Sequence, residues 1–424
     1  MEYKKISTDA FNLHLIKTNR FRTINIRICL RDAINKDEIT LRNMLTSFLT
    51  YSTDTYPAKR DMVLKAQDLY GVNIYTKSYR SGRFNMINFC MSLLNEKYTE
   101  NGMFEESIKF LNDIIFHPNF YKEEEFNQAY KFLYDNIKTS MNGIKENPTN
   151  YSTIRMLEEM DKNMPYSYRE FGYMEDLEKI NKDSLIKYYN KTLNNSLIDV
   201  YVIGDIEEES VVNLLKKYLT FTSFKVQKQN QLITHDEIGR EVKIIKEQED
   251  SNQSKLSIGC KVGDLTEFER NYVLTVYNMI LGGGSESKFF KIIREKHSLA
   301  YYVYSSLNKL DSLMIIKAGI SKENFEKTVD LVKELMKDME NGEFTTSDID
   351  IVKENYISLL KEIEDNENAI IETYLAKDLL NLGDIDERKK EIMKVTKEDI
   401  VSVAKKVKLD TIFLLEGVLT DENN

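Results

Sequence analysis

The second half of the sequence repeats, in the same order, the apolar patterns of the first half. The repeated patterns are an alternating strand, an amphipathic helix, a polar helix start and a short apolar strand. They begin at Ile24, Phe104, Asn181 and Leu197 in the first half, and at Leu256, Phe325, Thr396 and Ile412 in the second. Each copy lies roughly 215–230 residues after its counterpart. We therefore predict an α+β fold that arose by tandem duplication of an α/β unit.

A polar stretch separates the two predicted halves. Residues 222–253 include three alternating glutamines and the charged run Lys246–Asp250, with one short apolar segment, Val242–Ile245, that predicts a strand. We place an N-terminal half at residues 1–225, a linker at 226–252 and a C-terminal half at 253–424. The chain of 424 residues contains only 4 prolines and 16 glycines, which argues against long disordered linkers.

The charge of the chain argues against two classes of partner, and its cysteine content predicts the state of its thiols. The formal net charge of −10 argues against binding to nucleic acid or to an anionic membrane surface. The sequence contains no apolar run long enough for a membrane span. Its three cysteines, Cys29, Cys90 and Cys260, are isolated from one another, which predicts buried reduced thiols rather than a disulfide framework. We expect a cytoplasmic protein.

One glycine-rich stretch stands out in the second half. Gly282, Gly283 and Gly284 precede a helical segment that ends in a basic cluster, with Arg294 and Tyr301 seven residues apart. If the helix continued through Tyr301, both side chains would share one face. If the helix ended near Ser298, the tyrosine would begin the next strand. In either case a cation and a phenol can approach one small volume and hold a peptide carbonyl or an oxyanion.

The tyrosine-rich run 301–304 that follows this segment is strand-like. Strict alternation along the strand would place Tyr301 and Val303 on one face, with Tyr302 and Tyr304 on the other. The glycines lack the lysine and the spacing of a nucleotide-binding loop, so a tight turn with close backbone approach is the better interpretation.

The run from Gly282 to Tyr301 resembles the C-terminal half of the pitrilysin/insulinase/mitochondrial-processing-peptidase family of zinc peptidases. In that family a glycine-rich turn precedes a helix similar to I-R-E-K-x-x-L-A-Y. The resemblance extends over nearly the whole chain and implies two homologous halves that form half of a clamshell chamber. It also implies that Arg294, Tyr301 and the three glycines contact a peptide substrate, with Arg294 and Tyr301 in the catalytic role.

A catalytic member of this family carries H-x-x-E-H on a helix in its first half. By resemblance, Asn43 and Ser47 occupy the two histidine positions and Thr46 the glutamate position. Amides and hydroxyls are poor zinc ligands, and threonine is not a general base near neutral pH. The resemblance places Asn136 at the third ligand position, whereas residue counting points nearer to Glu123–Glu125. The four histidines have no i,i+4 pair. We expect no metal and no cofactor on this chain.

These observations lead to one main hypothesis and two alternatives. The resemblance implies a non-catalytic, substrate-binding subunit of a heterodimeric zinc metallopeptidase, inactive alone, whose homologous partner supplies H-x-x-E-H and zinc. The first alternative is a structural or peptide-binding scaffold of the same fold with no role in hydrolysis. The second is a self-sufficient hydrolase with an unrecognised site, for which the sequence offers no coherent set of residues.

Overall fold

A computed structural model of the protein describes residues 1–222 and 231–418. Its strands, in chain order, are β1 (Glu2–Ser7), β2 (Asn12–Lys17), β3 (Thr23–Ala33), β4 (Asn73–Ser81), β5 (Phe84–Leu94), β6 (Leu197–Gly204), β7 (Lys243–Glu249), β8 (Ser254–Val262), β9 (Ala300–Asn308), β10 (Leu313–Ile320) and β11 (Val407–Gly417). The predicted boundary at residue 225 and the first part of the predicted linker lie outside the described residues.

Helices connect these strands. They are α1 (Ile39–Leu49), α2 (Lys59–Asp68), α3 (Met103–Phe116), α4 (Glu123–Asn142), α5 (Pro148–Met160), α6 (Met174–Leu177), α7 (Lys182–Asn195), α8 (Glu208–Tyr218), α9 (Leu274–Gly282), α10 (Phe325–Asn341), α11 (Thr346–Ile363), α12 (Glu367–Leu380), α13 (Ile385–Met393) and α14 (Lys397–Ala404). Two further segments, Glu269–Val273 and Phe289–Lys296, are π-helical.

The two sheets share one topology. In the first, β2 lies parallel to β6, and β6, β3, β5 and β4 follow as antiparallel neighbours. In the second, β7 lies parallel to β11, and β11, β8, β10 and β9 follow in the same way. The first sheet has one additional strand, β1, beside β2. The matching strand order confirms the α+β fold with a duplicated unit.

The chain forms two compact units that exchange short segments. One unit comprises Met1–Asn142, Arg169–Asn230 and Asp365–Ile371; the other comprises Gly143–Tyr168, Gln231–Glu364 and Glu372–Asn424. Thus α5, which belongs to the first half of the sequence, groups with the second unit, and the start of α12 groups with the first. The domain boundaries drawn from the sequence remain a prediction.

The first unit is built around the inward face of β3. Ile24, Ile26 and Ile28 lie in its core, as the alternating pattern predicts. The opposite face of β3 is also buried, although the sequence suggests that it would be exposed. The segment Asp365–Ile371 covers it: Thr23 donates a hydrogen bond to Glu367 at 2.8 Å, and Arg27 donates one to Asn368 at 2.9 Å. A segment more than three hundred residues away in sequence cannot be found from the local pattern of β3.

In the second unit, α5 covers the corresponding face of β8. Proline at the first helical position and the side chain of Asn147, which caps the helix, start α5 at Pro148. Ser152 Oγ lies 2.8 Å from Ser257 Oγ. A Cβ atom on Gly259 would lie 2.5 Å from Met156 Sδ, so the absence of a side chain there lets α5 approach the sheet closely.

Within the described ranges, no helix combines the length and the apolar character that crossing a membrane requires.

Candidate functional site

The three positions that resemble a zinc motif lie on α1: Ser47 lines a cleft, and the side chains of Asn43 and Thr46 are hydrogen-bonded within the protein. Asn43 donates a hydrogen bond through Nδ2 to the carbonyl of Glu170 at 2.7 Å and accepts one at Oδ1 from Ser78 at 2.8 Å. Thr46 donates to the carbonyl of Arg42, one turn earlier on the same helix, at 2.6 Å. The Asn43 amide therefore anchors α1 to its neighbours, whereas the Thr46 hydroxyl is satisfied within the helix.

A buried cation adjoins these positions. The Arg42 guanidinium is 1% exposed and donates hydrogen bonds to Asn85 at 2.7 Å and to the Glu170 carbonyl at 3.0 Å. Burial lowers the pKa of Arg42, because its charged form is removed from water. A zinc ion at Asn43 would meet this cation and a donor set of one amide and two hydroxyls. These residues do not fit zinc.

Both candidates for the third ligand lie on α4. Asn136 is exposed on α4. Glu123, Glu124 and Glu125 form the first turn of the same helix, where carboxylates interact favourably with the helix dipole. The acidic triplet therefore has a local structural role at the helix start.

An open cleft lies beside α1 in the first unit. Its volume is about 470 Å³, and it adjoins β4, the edge strand of the six-stranded sheet. Among its lining residues, Phe132 and Tyr75 are 52% and 40% exposed, while Lys59 donates a hydrogen bond to the Thr50 carbonyl at 3.0 Å. Burial lowers the pKa of Lys59. The cleft can accept an apolar side chain, with the edge strand available for backbone hydrogen bonds.

At two of the three glycines in the run Gly282–Gly284, neighbouring atoms leave no room for a side chain. A Cβ atom on Gly282 would lie 2.6 Å from Phe289 Cδ2, and one on Gly283 would lie 2.6 Å from Met279 Cα. A Cβ atom on Gly284 would have no neighbour within 4 Å. None of the three has a positive φ. Gly282 and Gly283 are thus required by close approach, which agrees with the interpretation of this run as a tight turn.

The helical segment Phe289–Lys296 ends just before Ser298. The Ser298 backbone adopts a left-handed conformation with φ of 53°, and the Leu299 N–H donates a hydrogen bond to the Ile293 carbonyl at 3.0 Å. This left-handed helix end reverses the chain into β9. Of the two alternatives drawn from the sequence, the one in which the tyrosine begins the next strand is correct.

Arg294 lies in the last turn of this segment, and its side chain is 42% exposed. Its guanidinium carbon lies 4.6 Å from the centre of the Phe290 ring, and its Nε lies 3.7 Å from a carboxylate oxygen of Glu295. Across residues 1–222 and 231–418, no hydrogen bond joins Arg294 to Tyr301. The cation is therefore held on an aromatic face and remains accessible.

Tyr301 lies at an irregularity in β9. Ala300 pairs with Ile320 and Tyr302 pairs with Gly319, so Tyr301 is the extra residue of a bulge. The expectation that Tyr301 and Val303 share a face is wrong: Tyr301 is 67% exposed, whereas Val303 is 4% exposed and lies in the core. Bulges redirect side chains in this way. In contrast, the Tyr302 hydroxyl lies 3.0 Å from Thr149 Oγ1.

The sequence patterns do not predict two features of these sites. The first is the cleft beside β4, which combines residues of α1, α2, α4 and β4 that are widely separated in the chain. The second is the contact of Arg294 with Phe290. A signal for it exists, because an aromatic residue and an arginine four positions apart on a helix lie on the same side.

Comparisons with known proteins agree with this fold and with the missing zinc ligands. Residues 179–356 match the family described as "Peptidase M16 inactive domain". The chain is 28% identical over 411 residues, 95% of each chain, to a protein of Bacillus subtilis named "Probable inactive metalloprotease YmfF". It superposes on a crystal structure of a protein from Enterococcus faecalis with a TM-score of 0.90, at 25% identity, covering 99% of this chain and 100% of that one.

A more distant solved structure shows the same fold. The M16 inactive domain from Pseudomonas fluorescens superposes with a TM-score of 0.80 at 15% identity, covering 100% of this chain and 99% of the other. The fold, the match to the inactive domain and the unsuitable donors at Asn43, Thr46 and Ser47 lead to one conclusion. The chain is similar, over nearly its whole length, to inactive homologues of the M16, or pitrilysin, family of peptidases.

Proposed function

We propose that this chain is the non-catalytic, substrate-binding subunit of a heterodimeric zinc metallopeptidase that cleaves peptides. The observation that carries the proposal is the solvent exposure of Arg294 and Tyr301. Both side chains are exposed where the helical segment Phe289–Lys296 gives way to β9, in a chain whose α1 lacks zinc ligands. An exposed cation and phenol are suited to stabilising the carbonyl and oxyanion of a peptide bond under attack.

The proposed partner is a homologous subunit that carries H-x-x-E-H and its zinc ion. In this division of labour the partner activates water, and Arg294 and Tyr301 hold the substrate. We further propose a cytoplasmic location, which the three buried thiols at Cys29, Cys90 and Cys260 support, because free cysteines are typical of reducing compartments. The proposal includes no nucleic-acid or membrane partner.

Isolation of the chain from its native host tests this proposal. An affinity-tagged copy should recover a homologue with H-x-x-E-H in equal amount, and the complex should cleave quenched fluorescent peptides that neither subunit cleaves alone. Recovery of the chain without such a homologue, together with full activity of the chain alone, would contradict the proposal.

The cleft beside β4 favours a second candidate, a peptide-binding scaffold with no role in hydrolysis. Its exposed aromatic residues and the adjacent edge strand can hold an extended peptide without assistance from Arg294. In that case Phe132→Ala would weaken peptide binding by the isolated chain, and Arg294→Ala would leave both binding and any activity of a complex unchanged.

A further inference from the structure

We propose that Phe290 is a positioning residue that holds the Arg294 guanidinium in place for substrate. This inference rests on the proposed function of Arg294, and it assigns Phe290 a role of its own. The observation is the contact between the two side chains: the guanidinium carbon lies 4.6 Å from the ring centre. Arginines over aromatic rings within about 6 Å are attracted to the negative face of the ring.

This contact is closer than two other arginine–ring contacts in the molecule. Arg22 and Arg169 each lie 5.9 Å from the centre of a tyrosine ring. Arg294 Nε also lies 3.7 Å from a Glu295 carboxylate oxygen, but the two side chains are 42% and 59% exposed, so this ion pair is weak. Among the described residues, the ring of Phe290 is therefore the stronger of the two contacts that can restrict the Arg294 side chain.

The two adjacent phenylalanines have different surroundings, which separates a packing role from a positioning role. Phe289 is fully buried in the core of the second unit and lies against Gly282. Phe290 is only partly buried. Burial explains the aromatic residue at position 289, whereas the Phe290 ring keeps a face on which the guanidinium stacks.

The backbone fixes the relation between Phe290 and Arg294. Both lie in one π-helical segment, whose end is closed by a hydrogen bond of 3.1 Å from the His297 N–H to the Ile292 carbonyl. The left-handed Ser298 then ends the segment directly after the basic cluster. With the backbone held at the end of the segment that carries Arg294, stacking on Phe290 restricts the rotamers of that side chain. A long cationic side chain loses this freedom at a free-energy cost when it binds, and prior ordering reduces that cost.

Nuclear magnetic resonance of the chain labelled with ¹⁵Nε-arginine tests the contact. The Arg294 Nε–H signal is identified by its loss in Arg294→Ala, and ring shielding should move it upfield in the wild-type chain. Phe290→Leu should abolish this shift while Phe290→Tyr keeps it, because only leucine lacks a ring face. An Arg294 signal that is unaffected by Phe290→Leu would overturn the inference, whatever the activity of the complex.

Turnover by the complex with the H-x-x-E-H subunit provides the functional test. Phe290→Leu should reduce kcat/KM by roughly 2- to 5-fold, the ratio that an exposed cation–π contact supports, and Phe290→Tyr should restore it. In the Arg294→Ala background, Phe290→Leu should cause no further loss. An equal loss in both backgrounds would show a structural role and overturn the inference. Full turnover by Arg294→Ala would instead refute the proposed function, while the resonance shift still decides whether Phe290 orders Arg294.

Discussion

A Cβ atom on Gly282 would lie 2.4 Å from Ser305 Oγ and 2.9 Å from Ser305 N. The end of α9 therefore rests directly against the backbone of β9, the strand that carries Tyr301. A methyl group at this position can be accommodated only if the helix and the strand separate.

Gly282→Ala should consequently destabilise the protein by about 1–3 kcal/mol, the usual cost of an overpacked site. Gly284→Ala is the matched control, because a Cβ atom there meets no neighbour within 4 Å. Urea unfolding of both variants measures the difference. Equal stability of the two would show that the close approach at Gly282 relaxes without cost.

Substitutions at Ser298 test whether the chain reversal before β9 depends on a left-handed backbone conformation. The Ser298 φ of 53° is disfavoured for residues with a side chain and especially for β-branched ones. Ser298→Val should therefore be less stable than Ser298→Gly by about 1–2 kcal/mol. Thermal unfolding of both variants gives the comparison. If valine and glycine were equivalent, the chain reversal before β9 would not depend on this conformation.

A buried carboxylate should make the first unit sensitive to acid. Asp199 lies in an ion pair with Arg31 and accepts a hydrogen bond from Asn12 at 3.0 Å. Although burial raises its pKa, hydrogen bonds with His14 and the charge of Arg31 together hold it well below the usual value. The stabilisation is therefore complete above about pH 4, the pKa of an unfolded aspartate, and is lost as pH falls from there towards the folded pKa.

Asp199→Asn should cost about 3–5 kcal/mol near neutral pH, because it leaves the Arg31 guanidinium buried without its charge partner. The variant should also lose part of the acid dependence of unfolding between pH 4 and pH 2. Glu106→Gln, which removes an exposed pair with Lys109, is the control and should change little. An identical pH profile for wild type and Asp199→Asn would contradict this account.

The purified chain should contain little zinc, because the side chains at the motif positions on α1 are poor zinc ligands. After dialysis against metal-free buffer, elemental analysis should find close to zero zinc per chain, because Asn43, Thr46 and Ser47 supply no strong ligand and Arg42 adds a buried charge. About one zinc per chain would mean that the ligands lie elsewhere and that the chain has a metal site of its own.

Much of the fold is predictable from the sequence because the patterns are local. The alternation from Ile24 and the helical spacing from Phe104 each identify a real element, and their second copies identify the duplicated unit. The short N-terminal strands β1 and β2 and the helices α11 to α13 are not found in this way. The burial of the outer face of β3 also escapes prediction, since it depends on Glu367, far along the chain.

The candidate site is predictable only in part, for a similar reason. The family resemblance places Asn43, Thr46 and Ser47 at the zinc-motif positions, and the chemistry of their side chains makes them poor zinc ligands. The direction of Tyr301 cannot be read from alternation, because a bulge opposite Gly319 and Ile320 shifts the strand by one residue. The cleft beside β4 requires four elements to meet and has no local signal.

The most direct test of the central claim is turnover by the complex of this chain with its H-x-x-E-H partner. Arg294→Ala should lower kcat/KM by about 10²–10³-fold, as expected for loss of a group that stabilises the oxyanion, with assembly unchanged. Lys291→Ala, which removes a positive charge from the same segment, should retain activity. Unchanged turnover by Arg294→Ala in an intact complex would contradict the account.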